Sequence, residues 1–273
     1  MAAATTASID GGFRVERNWR RAVASWRGIV NPVKHHHQTL ELIMALAGPS
    51  MQKAYDEFRA DPAGRKLIDE RPAILDVLLD EEYLSSLPKG SLGHAYRDFM
   101  TQSRLDAALY DQAHDLPEIA SNLGWDDEFT YVIHRGIVLH DMLHVLGSYG
   151  PDIGGEIGVI GFTHGQAPNL GTFLFVFFAL ALPMRVGKRR TLRYWREAVA
   201  RGRRTKILMA QPYEDLLARD VEEVRRELGV LPVAEAHPGG IVYTAMQLGR
   251  KKDRMTEQAY ARYVYDPTRE HMA

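Results

Sequence analysis

Two histidines and two carboxylates lie within a short segment of this chain and have the residue types of a divalent metal site. His140, Asp141 and His144 belong to one short run. Glu156 follows His144 after eleven intervening residues. Imidazole nitrogens and carboxylate oxygens bind zinc and other divalent metals. At about 100° per residue, the first three side chains occupy an arc about 100° wide on one helix, so the spacing predicts three ligands on one helical face.

The residues after His144 predict a chain reversal that brings Glu156 to the same place. Gly147, Gly150-Pro151 and Gly154-Gly155 interrupt the helical pattern, and helices commonly end at Gly and Pro. A second helix that starts near Gly155 would place Glu156 in its first turn, opposite the histidines. Most flanking residues are apolar, where charged groups are costly unless they are paired or bind a metal. A surface or core histidine pair is the alternative, and this setting favours a metal site.

The composition is that of an ordinary globular protein. The chain has 273 residues, 45% of them hydrophobic and 25% charged, with a net charge of −1. The charge gives no indication of nucleic-acid binding. The absence of Cys excludes disulfides, thiolate ligands and a Cys nucleophile, and it fits a reducing compartment. We expect a cytoplasmic protein that is soluble or bound peripherally to the inner face of a membrane.

Helical patterns dominate the sequence, and no run alternates as a strand would, so we predict an all-α fold with a single helical domain. We expect a disordered N-terminal segment over 1–12, the helical domain over 13–231 and a less ordered tail over 232–273. Helices are predicted at Leu40–Leu46, Met51–Ala60, Ile74–Leu79, Ser91–Leu105, Asp126 through the metal motif, Glu156–Gly165, Leu170–Leu182, Arg189–Arg204 and Val221–Leu228.

An apolar segment and a basic segment follow the metal motif. Leu170–Met184 is apolar around its whole circumference and contains four Phe residues, which predicts either a core helix or the wall of a lipid-binding pocket. At 15 residues it is shorter than the about 20 needed to span a membrane. The following stretch, 185–206, holds ten Lys or Arg and one acidic residue. It is either a solvated face or a surface for anionic membranes, with Tyr194 and Trp195 at headgroup level.

Other histidines are weaker candidates. The triplet His35-His36-His37 is predicted to lie on the surface, because consecutive helical positions point apart. His134 falls on the far side of a helix from His140. His164 lies about two helical turns beyond Glu156 and is a weak additional ligand candidate.

The motif formed by His140, Asp141, His144 and Glu156 resembles the signature of the coenzyme Q (ubiquinone) biosynthesis protein 4 family at every fixed position. The resemblance extends from about Arg71 to Val230 and includes Arg71-Pro72, Leu87–Gly93 with Tyr96 and Phe99, Arg201-Gly202, Tyr213-Glu214 and Val224–Gly229.

This resemblance implies a mostly α-helical protein, peripheral to a membrane, that acts in ubiquinone biosynthesis. Family members are linked to removal of the ring carboxylate at C1, with hydroxylation there, and to organising other enzymes of the pathway. By resemblance, His140, Asp141, His144 and Glu156 are the metal ligands and the catalytic residues, and the metal is usually taken to be zinc. The implied partners are a prenylated ring lipid, the membrane surface and other ubiquinone-biosynthesis enzymes, and a homodimer is compatible with the sequence.

The expected activity is that of a lyase, a metal-dependent decarboxylase in which the metal binds a ring carboxylate or phenolate. Zn, Fe, Mn and Co all accept this ligand set. Four protein ligands would close a tetrahedral zinc site, whereas catalysis needs an open position. The first alternative is therefore a non-catalytic scaffold that binds polyprenyl lipids. A metal-dependent hydrolase is the second, but metalloproteases of the His-Glu-x-x-His type have Glu where this chain has Asp141.

Overall fold

A computed structural model describes residues 14–28, 36–103, 111–150, 153–174 and 187–233, and these residues contain helices and no strand. The all-α prediction is confirmed. The helices are α1 (Trp19–Gly28), α2 (His36–Ala47), α3 (Pro49–Ala60), α4 (Pro62–Glu70), α5 (Ile74–Leu79), α6 (Glu81–Ser86), α7 (Leu92–Ser103), α8 (Asp111–Leu123), α9 (Asp127–Val138), α10 (His140–Gly147), α11 (Ile153–Gln166), α12 (Gly187–Gly202), a 3-10 helix (Leu208–Ala210), α13 (Tyr213–Leu216) and α14 (Val221–Leu228).

The predicted long helix through the metal motif is divided into α9 and α10. Asp126 caps α9 as its acidic start predicts, because its side chain accepts from the Phe129 amide at 2.8 Å. Leu139 then adopts φ −82° and ψ 1°, a backbone conformation that turns the chain out of regular α geometry. His140 is consequently the first residue of a new helix, and α10 takes its direction independently of α9.

The largest buried cluster joins α10 to several other helices. It includes Met142 of α10, Tyr96 of α7, Ile157 of α11, Ala198 of α12 and Leu228 of α14, all of them buried. Burying one large aliphatic or Met side chain stabilises the fold by about 1.5–3 kcal/mol. The apolar residues around the motif therefore anchor α10 in the core, and the polar face of the helix is left for the site.

Glycines allow α11 and α12 to approach each other closely. A Cβ added at Gly165 would lie 2.3 Å from the Val199 carbonyl oxygen, and one added at Gly202 would lie 2.0 Å from the Phe162 carbonyl oxygen. Both contacts are with backbone atoms, which cannot rotate away. Helix α11, which follows the metal motif, is therefore in close backbone contact with α12.

Three predicted segments lie partly or wholly outside the described residues. These are the N-terminal segment 1–12, most of the Phe-rich segment beyond residue 174, and the tail beyond residue 233. Phe173, which is described, is exposed. Among the residues that the structure describes, no helix combines the length and the apolar character required to cross a membrane.

Candidate metal centre

The structure brings the predicted ligands together at the corner between α10 and α11. The Nε2 atoms of His140 and His144 lie 3.4 Å apart. Glu156 Oε2 lies 3.4 Å from His140 Nε2, and Glu156 Oε1 lies 3.8 Å from His144 Nε2. Asp141 offers a carboxylate oxygen within 4.8 Å of both imidazole ligand atoms. The spacing in the sequence therefore corresponds to a cluster in space.

These separations fit a divalent metal. Zinc binds imidazole nitrogen at about 2.0–2.1 Å, so two ligand atoms at neighbouring corners of a tetrahedron lie about 3.3–3.4 Å apart. The distances between His140, His144 and Glu156 equal this edge to within about half an ångström. The donor set fits as well, because neutral imidazole and carboxylate are ligands for Zn, Fe, Mn and Co.

The orientation of His144 is set by the turn after α10. Its Nδ1 lies 3.0 Å from the Gly150 carbonyl oxygen, to which it donates a hydrogen bond. This fixes the tautomer and leaves the Nε2 lone pair directed at the other ligands. The ring of Phe99 in α7 stacks on His144 with centroids 5.5 Å apart. His144 is thereby held from two sides in the geometry that a metal ligand needs.

Gly155 is the position at which the turn is tightest. A Cβ there would lie 1.5 Å from the carbonyl oxygen of Gly150, the oxygen that accepts from His144. Only glycine allows this approach of α11 to the turn. Because Glu156 is the next residue, this close backbone contact positions the Glu156 carboxylate. It also positions the Gly150 carbonyl oxygen, which orients His144.

The pKa values of the two histidines move in opposite directions. Burial would lower the pKa of His140, but its hydrogen bond to Glu156 and the charges of Glu156 and Asp141 outweigh this and raise it to about 9. Burial lowers the pKa of His144, and the neighbouring His140 lowers it further. The cluster therefore attracts one positive charge, which a proton on His140 or a metal cation would supply.

The corner is open on one side. His144 is 1% exposed at its side chain, whereas His140 and Glu156 are 38% and 31% exposed. A metal held here would thus have a buried side, formed by α7 and α10, and a side that a ligand reaches. An accessible side is what a catalytic metal site requires.

Arg225 holds the C-terminal end of α10 in place. The sequence did not predict this role. Arg225 is buried, and its guanidinium donates to the carbonyl oxygens of Leu146 at 2.8 Å and Val145 at 2.6 Å and to Ser148 Oγ at 3.0 Å. The last carbonyls of a helix lack partners within the helix. Arg225 supplies them from α14, nearly eighty residues later in the chain, so no local pattern would indicate it.

A second buried arginine ties α9 to α13. Arg135 donates to Glu214 at 2.7 and 2.9 Å and to the Gln211 carbonyl oxygen at 3.0 Å. The paired geometry is the bidentate one in which guanidinium and carboxylate match best. It holds the helix before the metal motif against the C-terminal part of the domain.

Two other histidines that the structure describes have partners of their own. His37 Nδ1 lies 3.0 Å from an Asp115 carboxylate oxygen, and its side chain is partly exposed, so the surface position predicted for the triplet stays a prediction. His164 Nδ1 lies 2.8 Å from Thr172 Oγ1, and its ring lies against Trp195. His164 is therefore occupied elsewhere in the fold.

The prediction that Tyr194 and Trp195 lie at headgroup level is wrong for Tyr194. Its side chain is buried in the largest core cluster, and Trp195 packs against the same cluster. The hydrophobic energy of burying a large aromatic ring outweighs the polar pattern of the sequence around it. Although the sequence of this stretch is basic, α12 has an apolar side, and that side faces α11.

The fold and the site define a class of protein. It is an all-helical domain in which a histidine pair and two acidic residues meet at the corner between two helices. The sequence matches the model of the coenzyme Q (ubiquinone) biosynthesis protein Coq4 family over residues 14–234. The chain belongs to this family. Membership supports a role in ubiquinone biosynthesis, and the predicted family resemblance is confirmed.

Individual relatives agree with this assignment. The ubiquinone biosynthesis protein COQ4 homolog, mitochondrial, of Bos taurus is 29% identical over 240 residues, which cover 77% of this chain and 86% of that protein. The Homo sapiens protein of the same name is 33% identical over 183 residues, covering 64% of this chain and 63% of its own length. The match thus spans slightly less than two thirds of the human relative.

A solved structure supports the fold. The crystal structure of a candidate ubiquinone biosynthesis protein from Nostoc punctiforme superposes with a TM-score of 0.54 at 21% sequence identity. The superposition covers 78% of this chain and 98% of the Nostoc chain. At this level of identity the likeness concerns the helical fold.

Proposed function

We propose that this chain is a metal-dependent enzyme of ubiquinone biosynthesis that removes the C1 carboxylate from a prenylated hydroxybenzoate-type ring. The observation that carries the proposal is the convergence of His140 Nε2, His144 Nε2 and the Glu156 carboxylate at separations of 3.4–3.8 Å. Family membership supplies the pathway, and the accessible side of the corner supplies room for a substrate.

The protein residues have distinct roles in this proposal. His140, His144 and Glu156 hold a divalent metal, zinc by preference, and Asp141 completes the ligand set or balances its charge. When bound, the metal supplies a fixed positive charge that stabilises a carboxylate or phenolate oxygen of the ring. Phe99 and the buried residues of α10 keep water away from the inner side of the site, which strengthens such electrostatic interactions.

The reaction breaks the bond between ring carbon C1 and the carboxyl carbon. The bonding electron pair remains on the ring, and CO₂ leaves. In the simple decarboxylation a proton takes the vacant position at C1. In the oxidative form a hydroxyl group takes it: O₂ accepts two electrons and is released as H₂O₂, and water supplies the hydroxyl oxygen. In both forms the ring must be held so that the negative charge develops beside the cationic corner.

Helix α1 supports the proposal that the protein works at a membrane surface. Trp19, Val23 and Trp26 are 58%, 47% and 51% exposed, and their spacing places them on one face of the helix. Arg20 and Arg27 are exposed beside them. Tryptophan and arginine on one helix are typical of a surface that contacts the headgroup region of anionic membranes. A prenylated substrate resides in such a membrane.

A non-catalytic scaffold is the second candidate function. Asp141 lies close enough to the histidine pair to act as a fourth ligand, and four protein ligands would close a tetrahedral site and give the metal a structural role. In that case the protein would hold prenylated intermediates and dock other enzymes of the pathway.

The two candidates are distinguished by measuring metal content and CO₂ release on the same samples. We expect the purified chain to release labelled CO₂ from a carboxyl-labelled prenylated hydroxybenzoate in detergent. His140→Ala and Glu156→Gln should each lower metal affinity and CO₂ release by about 100-fold or more, since even residues that only support a ligand contribute about 10–100-fold. His94→Gln, a histidine of α7 that pairs with Asp98, is the control and should retain both.

Two outcomes would change the assignment. Undiminished CO₂ release from a metal-free His140→Ala chain would contradict the proposed mechanism. Full metal content in the unmodified chain, with no turnover of any prenylated ring carboxylate, would favour the scaffold.

A further inference from the structure

Arg201 in the last turn of α12 is a buried cation, whereas the neighbouring arginines that the structure describes face solvent. Its exposed fraction is 7%, whereas Arg193, Arg203 and Arg204 are exposed. Arg201 lies seven residues after Tyr194 and so on the same face of α12, the face that packs into the core. The charge is thus placed inside the domain.

The guanidinium of Arg201 has no hydrogen-bond partner within the structure. Its Nε, Nη1 and Nη2 atoms are all buried and unpaired. Removing an arginine charge from water costs several kcal/mol unless partners compensate for the lost hydration. Arg135 and Arg225, the other buried arginines among the described residues, each donate to several oxygens. Arg201 alone of these three donates to no oxygen, and a ligand that supplies an acceptor would explain the difference.

The neighbour of Arg201 is a second donor without an acceptor. The guanidinium carbon lies 5.2 Å from the centroid of the Tyr149 ring, and the buried Tyr149 hydroxyl also lacks a partner. A tyrosine hydroxyl is protonated at neutral pH and can donate a hydrogen bond, and a guanidinium offers donors and no acceptor. The pair therefore presents buried donors that an oxygen-rich anion would satisfy.

Tyr149 connects this cluster to the metal-binding helix. Its amide donates to the His144 carbonyl oxygen at 2.9 Å, and its ring lies against Gly147 of α10 and Gly158 of α11. The donor cluster thus lies behind the same turn that orients His144. It belongs to the same end of the domain as the metal centre but uses none of its ligands.

We propose that the Arg201 guanidinium and the Tyr149 hydroxyl form a binding site for an anionic oxygen group, a carboxylate or a phosphate, of a ligand of this protein. A guanidinium binds either group through two parallel hydrogen bonds. The site stands independently of the proposed decarboxylation, since it is argued from unpaired donors and from none of the metal ligands. Two sources share this chemistry, namely an aryl carboxylate and a phosphate.

Isothermal titration of the metal-loaded chain with 4-hydroxybenzoate and with inorganic phosphate tests the site. 4-Hydroxybenzamide, which lacks the negative charge, serves as the neutral probe. We expect one of the two anions to bind and the amide not to bind. Arg201→Gln should weaken that binding at least tenfold at unchanged metal content, and Tyr149→Phe should weaken it less. Arg203→Gln, which changes an exposed arginine next to the same helix end, should leave it unchanged.

The thermal unfolding midpoint of the ligand-free chain is a second measurement. It distinguishes an arginine that binds a ligand from one that only stabilises the fold. Because Arg201→Gln removes an unpaired buried charge, it should leave the midpoint unchanged or raise it.

Glu197, one helical turn earlier on α12, is the competing partner. If Arg201→Gln and Glu197→Gln both lower the midpoint while anion binding is unaffected, Arg201 serves an internal ion pair and the proposal is overturned. Failure of both anions to bind the unmodified chain also overturns it. Loss of anion binding in Arg201→Gln with normal CO₂ release would support the site and leave the metal mechanism intact.

Discussion

Contacts outside the motif hold the candidate metal ligands in place. Arg225 is the clearest example, because its guanidinium donates to carbonyl oxygens in the last turn of α10. The backbone carbonyl of Gly150 provides another contact, because it fixes the tautomer of His144. These contacts give the short helix α10 a defined end, and that end is where the chain turns towards Glu156.

Replacing Arg225 should loosen the metal corner. In Arg225→Met, the Leu146 carbonyl oxygen loses its Arg225 donor, and the Val145 carbonyl oxygen keeps only the Ser148 amide at 3.3 Å. A buried group left unsatisfied costs about 1–3 kcal/mol, so we expect the free energy of unfolding to fall by about that amount. The metal affinity should fall with it, as measured by denaturant titration and metal competition. Arg226→Met, at the exposed neighbouring position, should change stability by less than about 0.5 kcal/mol. Equal effects of the two substitutions would show that Arg225 has no special role.

His164 should make the folded state sensitive to acid. Its pKa is lowered first by burial and then by the charge of Arg203, so the unfolded chain binds a proton more readily than the folded one. Stability is unaffected at pH values well above the ordinary histidine pKa of about 6.5 and falls as the pH drops through that value. In His164→Asn, the loss of stability between pH 7.5 and pH 5.5 should be smaller than in the unmodified chain. Identical losses in the two chains would contradict this.

The sequence identifies the ligands better than it identifies their supports. His140, Asp141, His144 and Glu156 are recognisable because their types and spacing lie within 17 residues of one another. Arg201 and Arg225 belong to segments that resemble the family, but their burial is not recognisable, because an arginine looks the same in sequence whether it is exposed or buried. Its partners are set by which helices pack together, and that depends on the whole fold.

At the scale of helices, the close contact of α11 with α12 should be the most sensitive to substitution. Gly165→Ala places a methyl group 2.3 Å from the Val199 carbonyl oxygen, so the helices must separate. We expect a loss of about 1–3 kcal/mol in unfolding free energy. Gly136→Ala in α9 is the matched control, because its methyl group meets the flexible end of Met209 and alanine favours a helix by about 1 kcal/mol. A loss in the control as large as that in Gly165→Ala would contradict the account.

The helices were predicted well where their end signals are unambiguous. Ile74–Leu79 and Val221–Leu228 have their predicted bounds, and Gly229 is left-handed at φ 72° as a C-cap glycine should be. Helix α4 was not predicted, because the Asp61-Pro62 pair after Met51–Ala60 is typical of a helix end. Asp61 instead caps α4 and accepts from the amides of Ala63 and Gly64, and Pro62 occupies the first turn, where proline is well tolerated.

Other differences reflect the limits of periodicity as a signal. Helix α6 is mostly polar, and its Tyr83 and Leu84 are adjacent, so they show no helical repeat. Helix α8 contains Pro117, which argues against a helix when only the sequence is considered. The break at Leu139 has no glycine or proline to mark it, and tertiary packing of α10 into the core decides it.

At the scale of the whole molecule, the exposed aromatic face lies on α1. The sequence predicted that the basic stretch 185–206 is either a solvated face or a membrane surface, and the described part of that stretch buries Tyr194 and Arg201. Trp19, Val23 and Trp26 form an exposed apolar face on α1. The membrane-facing side is therefore expected where α1 lies.

Vesicle sedimentation measures this expectation. The unmodified chain should bind vesicles that contain phosphatidylserine more strongly than neutral phosphatidylcholine vesicles. The double substitution Trp19→Ala and Trp26→Ala should weaken binding about tenfold or more, because it removes the apolar area available for insertion. Leu79→Ala with Leu231→Ala, which removes exposed apolar side chains elsewhere, is the control. A similar loss in both double variants would refute a specific role for α1.

The central claim is that a metal at the corner of His140, His144 and Glu156 is required for ring decarboxylation. The most direct measurement strips the metal from the full chain with a chelator and restores Zn²⁺ in steps. Release of labelled CO₂ from a prenylated hydroxybenzoate is followed at each step. The account predicts that CO₂ release rises in proportion to bound zinc and reaches its maximum at one ion per chain. CO₂ release from the stripped chain at the full rate, or a rate independent of bound metal, would contradict it.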